Sequence, residues 1–264
     1  MSSKLKLVFA SAALILVSAC SAHVQTTSGA DYLARYDSYA TAGTVKPGNL
    51  DAEIREIAAV EPNLQFPARI GLARIEHGRL AGIPGAEGEA WGSLVAQLGP
   101  EFGTFAPVSP LIAAMVDNPE APRTRYQDNY VQELIADIRR GAARQHLDYV
   151  LVYEVSSNRE ERANGLALAD LTVIGMFVLP SRDVEVDATA SAILIDVRNG
   201  YPYATLTGFA EKGGLSRVVS ARSTTNTLVE DAELRAVEAL IDEAANAFEQ
   251  LAIAAEETET GDAS

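Results

Sequence analysis

The side chains that most often carry chemistry are scarce in these 264 residues: one cysteine, three histidines and one tryptophan. A single cysteine, Cys20, excludes a disulfide framework and a multi-cysteine metal site. His23, His77 and His146 lie too far apart for the paired spacing of a zinc hydrolase helix. The glycines of Ile83-Pro-Gly-Ala-Glu-Gly88 lack the spacing and terminal Lys-Ser/Thr of a phosphate loop. No Gly-x-Ser-x-Gly elbow or dinucleotide fingerprint occurs. Basic residues are also in short supply, 21 against 36 acidic ones, for a net charge of −15. Such a balance argues against nucleic acid or an anionic headgroup surface as the main partner. Beyond residue 17 no apolar run reaches the length of a membrane helix. The reading is of a non-enzyme, with no catalytic residue, no cofactor and no metal site assigned. Asp183, Glu185 and Asp187 alternate along one strand face and could offer oxygens to calcium. An acidic edge that deters strand pairing is the preferred explanation.

What the chain does have is concentrated at its start. Lys4 and Lys6 precede the uncharged apolar run Leu7–Val17, and the small residues Ser18 and Ala19 lead into Cys20. That order of charge, apolar run and small residues is an export signal, too short to span a membrane. The tetrapeptide Val17-Ser-Ala-Cys20 resembles the lipobox of bacterial lipoproteins. The resemblance implies cleavage before Cys20, a diacylglycerol on its thiol and usually an acyl chain on its new amine. At about 0.8 kcal/mol per buried methylene, two or three chains make a lasting anchor where one does not. Ser21 stands where an aspartate would resemble an inner-membrane retention signal, which favours the outer membrane.

The mature chain divides into a tether over 20–48, one α/β domain over 49–255, and an acidic disordered tail over 256–264. Within the tether, Tyr32, Tyr36 and Tyr39 share one face of a short helix that docks on the domain. Helices are expected over 49–60, through Leu50, Ile54 and Ile57, and over 89–98, through Trp91, Leu94 and Leu98. Two more are expected over 127–145, with a stripe Val131, Leu134, Ile135, Ile138 and Ala142, and over 228–255, capped by Thr227. Strands are expected over 66–75, 104–108, 148–155, 171–179, 184–197 and 201–209. Asn158–Asn164 reads as a charged loop, and Gly213-Gly214 as the end of the last strand region. Asn199-Gly200 predicts a type I′ turn joining a hairpin over 184–209, with Tyr201, Tyr203, Thr205, Thr207 and Phe209 on one face. The fold class is therefore α/β, with α+β as the alternative: a mixed sheet flanked by helices, including a long C-terminal one.

Two stretches carry a wider resemblance: Leu147-Asp-Tyr-Val-Leu-Val152 after a helix, and Ala192-Ile-Leu-Ile-Asp-Val-Arg-Asn-Gly200 before a strand and terminal helix. Their order is similar to the α/β domain of the curli secretion channel lipoprotein, the lipoprotein activators of penicillin-binding proteins and the TolB N-terminal domain. Leu171–Arg182 followed by Asp187–Arg198 resembles the rhombotarget lipoproteins within that group. The chain departs from that family in lacking a C-terminal glycine motif, membrane helix and basic tail, so cleavage by a rhomboid-type protease is not expected. The resemblance implies an outer-membrane lipoprotein facing the periplasm. It would act without catalysis in envelope assembly, secretion or regulation, through an envelope protein partner, with an oligomer left open. The alternatives are a subunit of a pore-forming secretion channel, and an envelope hydrolase or glycan-binding protein.

Overall fold

The computed structural model describes residues 21–41, 49–115, 130–163, 182–216 and 221–262. A mixed sheet of seven strands forms the centre: β1 (Ser21–Val24), β2 (Ala68–Glu76), β3 (Arg79–Ala81), β4 (Gly103–Pro107), β5 (Tyr149–Ala163), β6 (Arg182–Asp196) and β7 (Pro202–Ser216). The strand order is β1-β7-β6-β5-β2-β3, and β4 also pairs with β2. Strands β4 and β5 run parallel to β2, while the β5-β6-β7 ribbon, β3 and β1 are antiparallel to their neighbours. The helices are α1 (Gly29–Thr41), α2 (Asn49–Ala58), α3 (Gly85–Leu98), α4 (Pro110–Ala114), α5 (Tyr130–Arg144) and α6 (Ala221–Asp262).

Hydrophobic side chains cover both faces of the sheet. On one, Ile70, Leu72, Tyr149, Leu151, Val186 and Leu194 meet α3 and α6 through Trp91, Leu94, Val237, Leu240, Phe248 and Leu251. On the other, a smaller cluster of Val150, Val152 and Ile195 packs against Ile138 and Ala142 of α5. Of the expected α5 stripe, Ile138 and Ala142 are buried, and α6 buries Val237, Ile241, Phe248 and Leu251 at helical spacing. Val131 is 68% exposed and stands off the α5 stripe. In α2, Leu50 and Ile57 of the face predicted to be apolar are each 67% exposed among the described residues, while Ile54 is partly buried.

Several boundaries differ from the sequence reading. Ser21–Val24 is a strand of the sheet, so the expected tether over 20–48 does not describe this segment. Strand β5 runs through the expected charged loop to residue 163, because its charged side chains stand on an exposed ribbon paired with 182–191. Strand β7 likewise continues past Gly213-Gly214 to Ser216. Helix α6 starts before Thr227, whose hydroxyl donates to Ser223 O instead of capping, and it continues through the acidic tail to Asp262. The expected strand over 171–179 lies outside the described residues.

Both predicted details of the 184–209 hairpin are corrected. Gly200 has φ 81°, but Asn199 is not among the residues with positive φ, so the turn is not type I′. The I′ pattern instead occurs at His77-Gly78, with φ of 50° and 71°, in the two-residue turn between β2 and β3. The expected single face on β7 is broken by a register shift at Leu194/Ile195, where Ile195 pairs with Pro202 and Leu194 with Ala204. Tyr203 is the extra residue, and it inverts the alternation, so Tyr201 and Tyr203 are buried while Thr205 and Phe209 are exposed.

Candidate functional site: two sheet edges and a hairpin latch

Cys20, the one site residue assigned from sequence, lies outside the described residues. The next residue, Ser21, pairs with Thr207, and Val24 pairs with Ala204. Strand β1 therefore closes the β7 edge only over 204–207 and leaves the rest of that edge, from Gly208 to Ser216, without a strand beside it among the described residues. A Cβ at Gly208 would overlap Leu240 N and Ala236 O, so glycine here lets the α6 backbone lie directly on the strand. Phe209, one residue on, points away from α6 and is 44% exposed.

The outer face of the same ribbon holds the acidic side chains singled out in the sequence. Asp183, Glu185 and Asp187 are all exposed, and Glu211 pairs across from Asp187. A hydrogen bond to Glu185, reinforced by the charges of Glu185 and Asp187, holds the Glu211 carboxyl above its ordinary range. Among the described residues, no group of three or more His, Cys, Asp or Glu side chains could hold a metal ion. The three histidines fall in separate places: His23 on β1, His77 in the β2–β3 turn and His146 after α5.

The motif Asp196-Val-Arg-Asn-Gly200 builds a latch at the closed end of the hairpin. Asp196 is fully buried and accepts from Arg198 N at 2.7 Å, Arg198 Nε at 3.1 Å and, through Oδ2, Arg198 Nη2 at 2.8 Å. Arg198 lies over the Tyr149 ring and also donates to Asn63 O. The hydroxyls of Tyr203 and Tyr149 accept from Asn63 N and Gln65 N, both at 2.8 Å. The Tyr201 hydroxyl donates to Thr27 O. Burial pushes the phenols of Tyr149, Tyr201 and Tyr203 above their ordinary range, so they remain neutral hydrogen-bonding groups. Asn199 donates to Glu61 O, and the Glu61 carboxylate in turn accepts from Gly29 N and Ala30 N, capping α1 from 31 residues away. Arg139 holds the turn from the α5 side through Val197 O and Arg198 O. No single residue signals this network in the sequence. Its partners are brought together only by the sheet.

At the opposite edge, β3 and β4 both flank β2 and leave a notch between their ends. It forms a cavity of about 650 Å³ whose wall includes Leu72, Ile83, Trp91, Val95, Phe105 and Val108. Behind it, the buried Arg74 donates to both Glu87 oxygens at 3.2 and 3.1 Å, and the Tyr153 hydroxyl donates to Glu87 Oε2 at 2.8 Å. Burial and the Glu87 charge push the Tyr153 phenol far above its ordinary range. These groups satisfy one another, and the cavity wall is nearly all apolar. The arrangement can hold an apolar group but presents no nucleophile paired with a base.

No protein-family model matches the chain, and no curated protein matches it. Among solved structures the chain is similar to a variant of the PelC dodecamer from Paraburkholderia phytofirmans, at 18% identity and a TM-score of 0.25, covering 66% of this chain and 94% of that one. It is also similar to the PelC dodecamer from the same organism, at 17% identity and a TM-score of 0.25, covering 64% and 88%. A third similar structure is the hypothetical protein CT253 from Chlamydia trachomatis, at 9% identity and a TM-score of 0.26, covering 66% and 97%. At these scores the likeness carries no inference about activity or assembly.

Proposed function

We propose that this protein is an envelope lipoprotein, held by acyl chains on Cys20 in the outer membrane and facing the periplasm. It works without catalysis, through a protein partner, in envelope assembly, secretion or regulation. One observation carries the reading: a charged start, an apolar run and two small residues end at the only cysteine of the chain. The position of Ser21 in the sheet fits this, since the folded domain then begins where the leader would be cut. The resemblance to the rhombotarget lipoproteins supports the same address. Among the described residues no helix is long and apolar enough to cross a membrane.

Labelled palmitate is expected to enter the wild-type protein and not Cys20→Ser, and only the wild type should sediment with outer membranes. Equal labelling of the two would end the lipoprotein reading. Crosslinking in intact envelopes is expected to capture a stable protein partner. A detergent-resistant ring of this chain alone would favour a pore, and glycan enrichment with no protein partner would favour a carbohydrate-directed role.

A further inference from the structure

We propose that the β1/β7 edge of the sheet lies directly on the bilayer, with Phe209 seated at the lipid interface. This rests on lipidation of Cys20. A flexible tether over 20–48 would let the domain wander by roughly 5–6 Å × √n, on the order of 30 Å. The observed chain has no such slack. Cys20 is bonded to Ser21, the first residue of β1, and consecutive Cα atoms are only about 3.8 Å apart. Because β1 is antiparallel to β7 and Ser21 lies opposite Thr207, the chain leaves β1 toward Gly208 and Phe209. The acyl chains are thus attached beside an exposed aromatic, the type of side chain that settles at a membrane interface.

Strand β1 is held against peeling away by its pairing with β7 over 204–207 and by Ala22 and Val24, which pack against the core that α6 completes. Charge then sets the depth. Glu211 follows Phe209 by two residues, Asp187 lies across from it on β6, and Glu185 lies two residues along from Asp187, opposite Gly213. Carboxylates are costly inside hydrocarbon, so the ribbon beyond Phe209 stays in water. The contact is a rim held at one aromatic and one lipid anchor, and its partner is a zwitterionic lipid surface.

Because the native thiol is consumed by lipid, a second cysteine can take a nitroxide selectively. Full-length lipidated Phe209→Cys and Leu111→Cys would be spin-labelled in phosphatidylcholine vesicles. Leu111, 79% exposed on α4, reports the opposite edge. The ratio of oxygen to nickel-chelate collision should be several-fold higher at 209 than at 111. A ten-residue Gly/Ser insertion between Cys20 and Ser21 should abolish that difference while the protein still floats with vesicles. If the protein floats and incorporates palmitate but the two sites are equally accessible to the chelate, the apposition is wrong and the anchor stands. If palmitate is not incorporated, the anchor reading falls and this proposal falls with it.

Discussion

Glu87 shows how much a single side chain can hold in this fold. Its carboxylate is buried against Arg74 and Tyr153, and such a pair is worth little when exchanged whole for apolar groups but much when broken. Glu87→Ala is expected to destabilise the domain by about 3–5 kcal/mol, by leaving the Arg74 charge buried, as read by urea unfolding of the soluble domain. The double change Arg74→Met with Glu87→Leu should recover most of that loss. At Gly200 the cause is backbone geometry. With φ at 81°, and a Cβ only 2.9 Å from Arg139 Nη1, any branched side chain strains the turn and displaces the guanidinium that holds Val197 O. Gly200→Val should cost more than about 1 kcal/mol, Gly200→Ala less, and Gly200→Asn least, because asparagine tolerates the left-handed region. An unchanged urea midpoint for the valine variant would contradict the latch.

At the scale of the elements, charged groups join α1 to α2. Tyr36 donates to Asp51, Arg55 bridges Asp37 and Asp51, and Glu61 caps the first turn of α1. The bonds from Ala30 N, the Ser28 side chain and Gly29 N hold the Glu61 carboxyl below its ordinary range, and the Tyr36 hydroxyl does the same for Asp51. A carboxyl whose folded pKa is lowered stabilises fully above its unfolded value, near 4.3 for Glu, and loses that contribution as pH falls through the folded value. The α1 amides should therefore keep their protection from pH 7 to about 5 and lose it below about 4, before the sheet opens. Hydrogen exchange corrected for its intrinsic pH dependence would show this. Glu61→Gln should expose Gly29 and Ala30 already at neutral pH, and retained protection would show that the cap is dispensable.

At the scale of the whole molecule, the ribbon of β5, β6 and β7 bears on the choice between an anchored binding protein and a channel subunit. Val184, Val186, Ala188 and Ala190 give β6 an apolar face that could meet lipid, but α6 covers it through Ala232, Ala236, Val237 and Leu240. Insertion as a spanning hairpin would uncover that surface and sacrifice its burial, about 25 cal/mol for each Å². The proposed orientation asks for no such rearrangement. It leaves the outer acidic face of the ribbon and the apolar notch at β2 free for a partner.

Some of this could be read from residue order alone. The signal for the proposed leader is local and compositional, and the long helical stripe ending in Phe248 and Leu251 repeats at a period that only a helix satisfies. The fold class followed from alternating helical and strand periods. What sequence could not supply was pairing between distant segments. Ser21-Ala-His-Val24 has too little pattern to be recognised as a strand and becomes one because β7 offers it an edge. The charges of Asn158–Asn164 read as a loop, whereas residues 158–163 form a strand whose side chains, exposed on both faces over 158–162, keep those same charges in water. The Asp196–Gly200 motif was legible as a turn, but the bulge at Tyr203 and the latch on Asn63, Gln65 and Thr27 depend on partners up to 174 residues away. Local periodicity is set by neighbouring residues and so is written in the chain. The sheet edge, the register and the place where β1 joins the sheet are set by which surfaces pack together, and only the tertiary structure decides that.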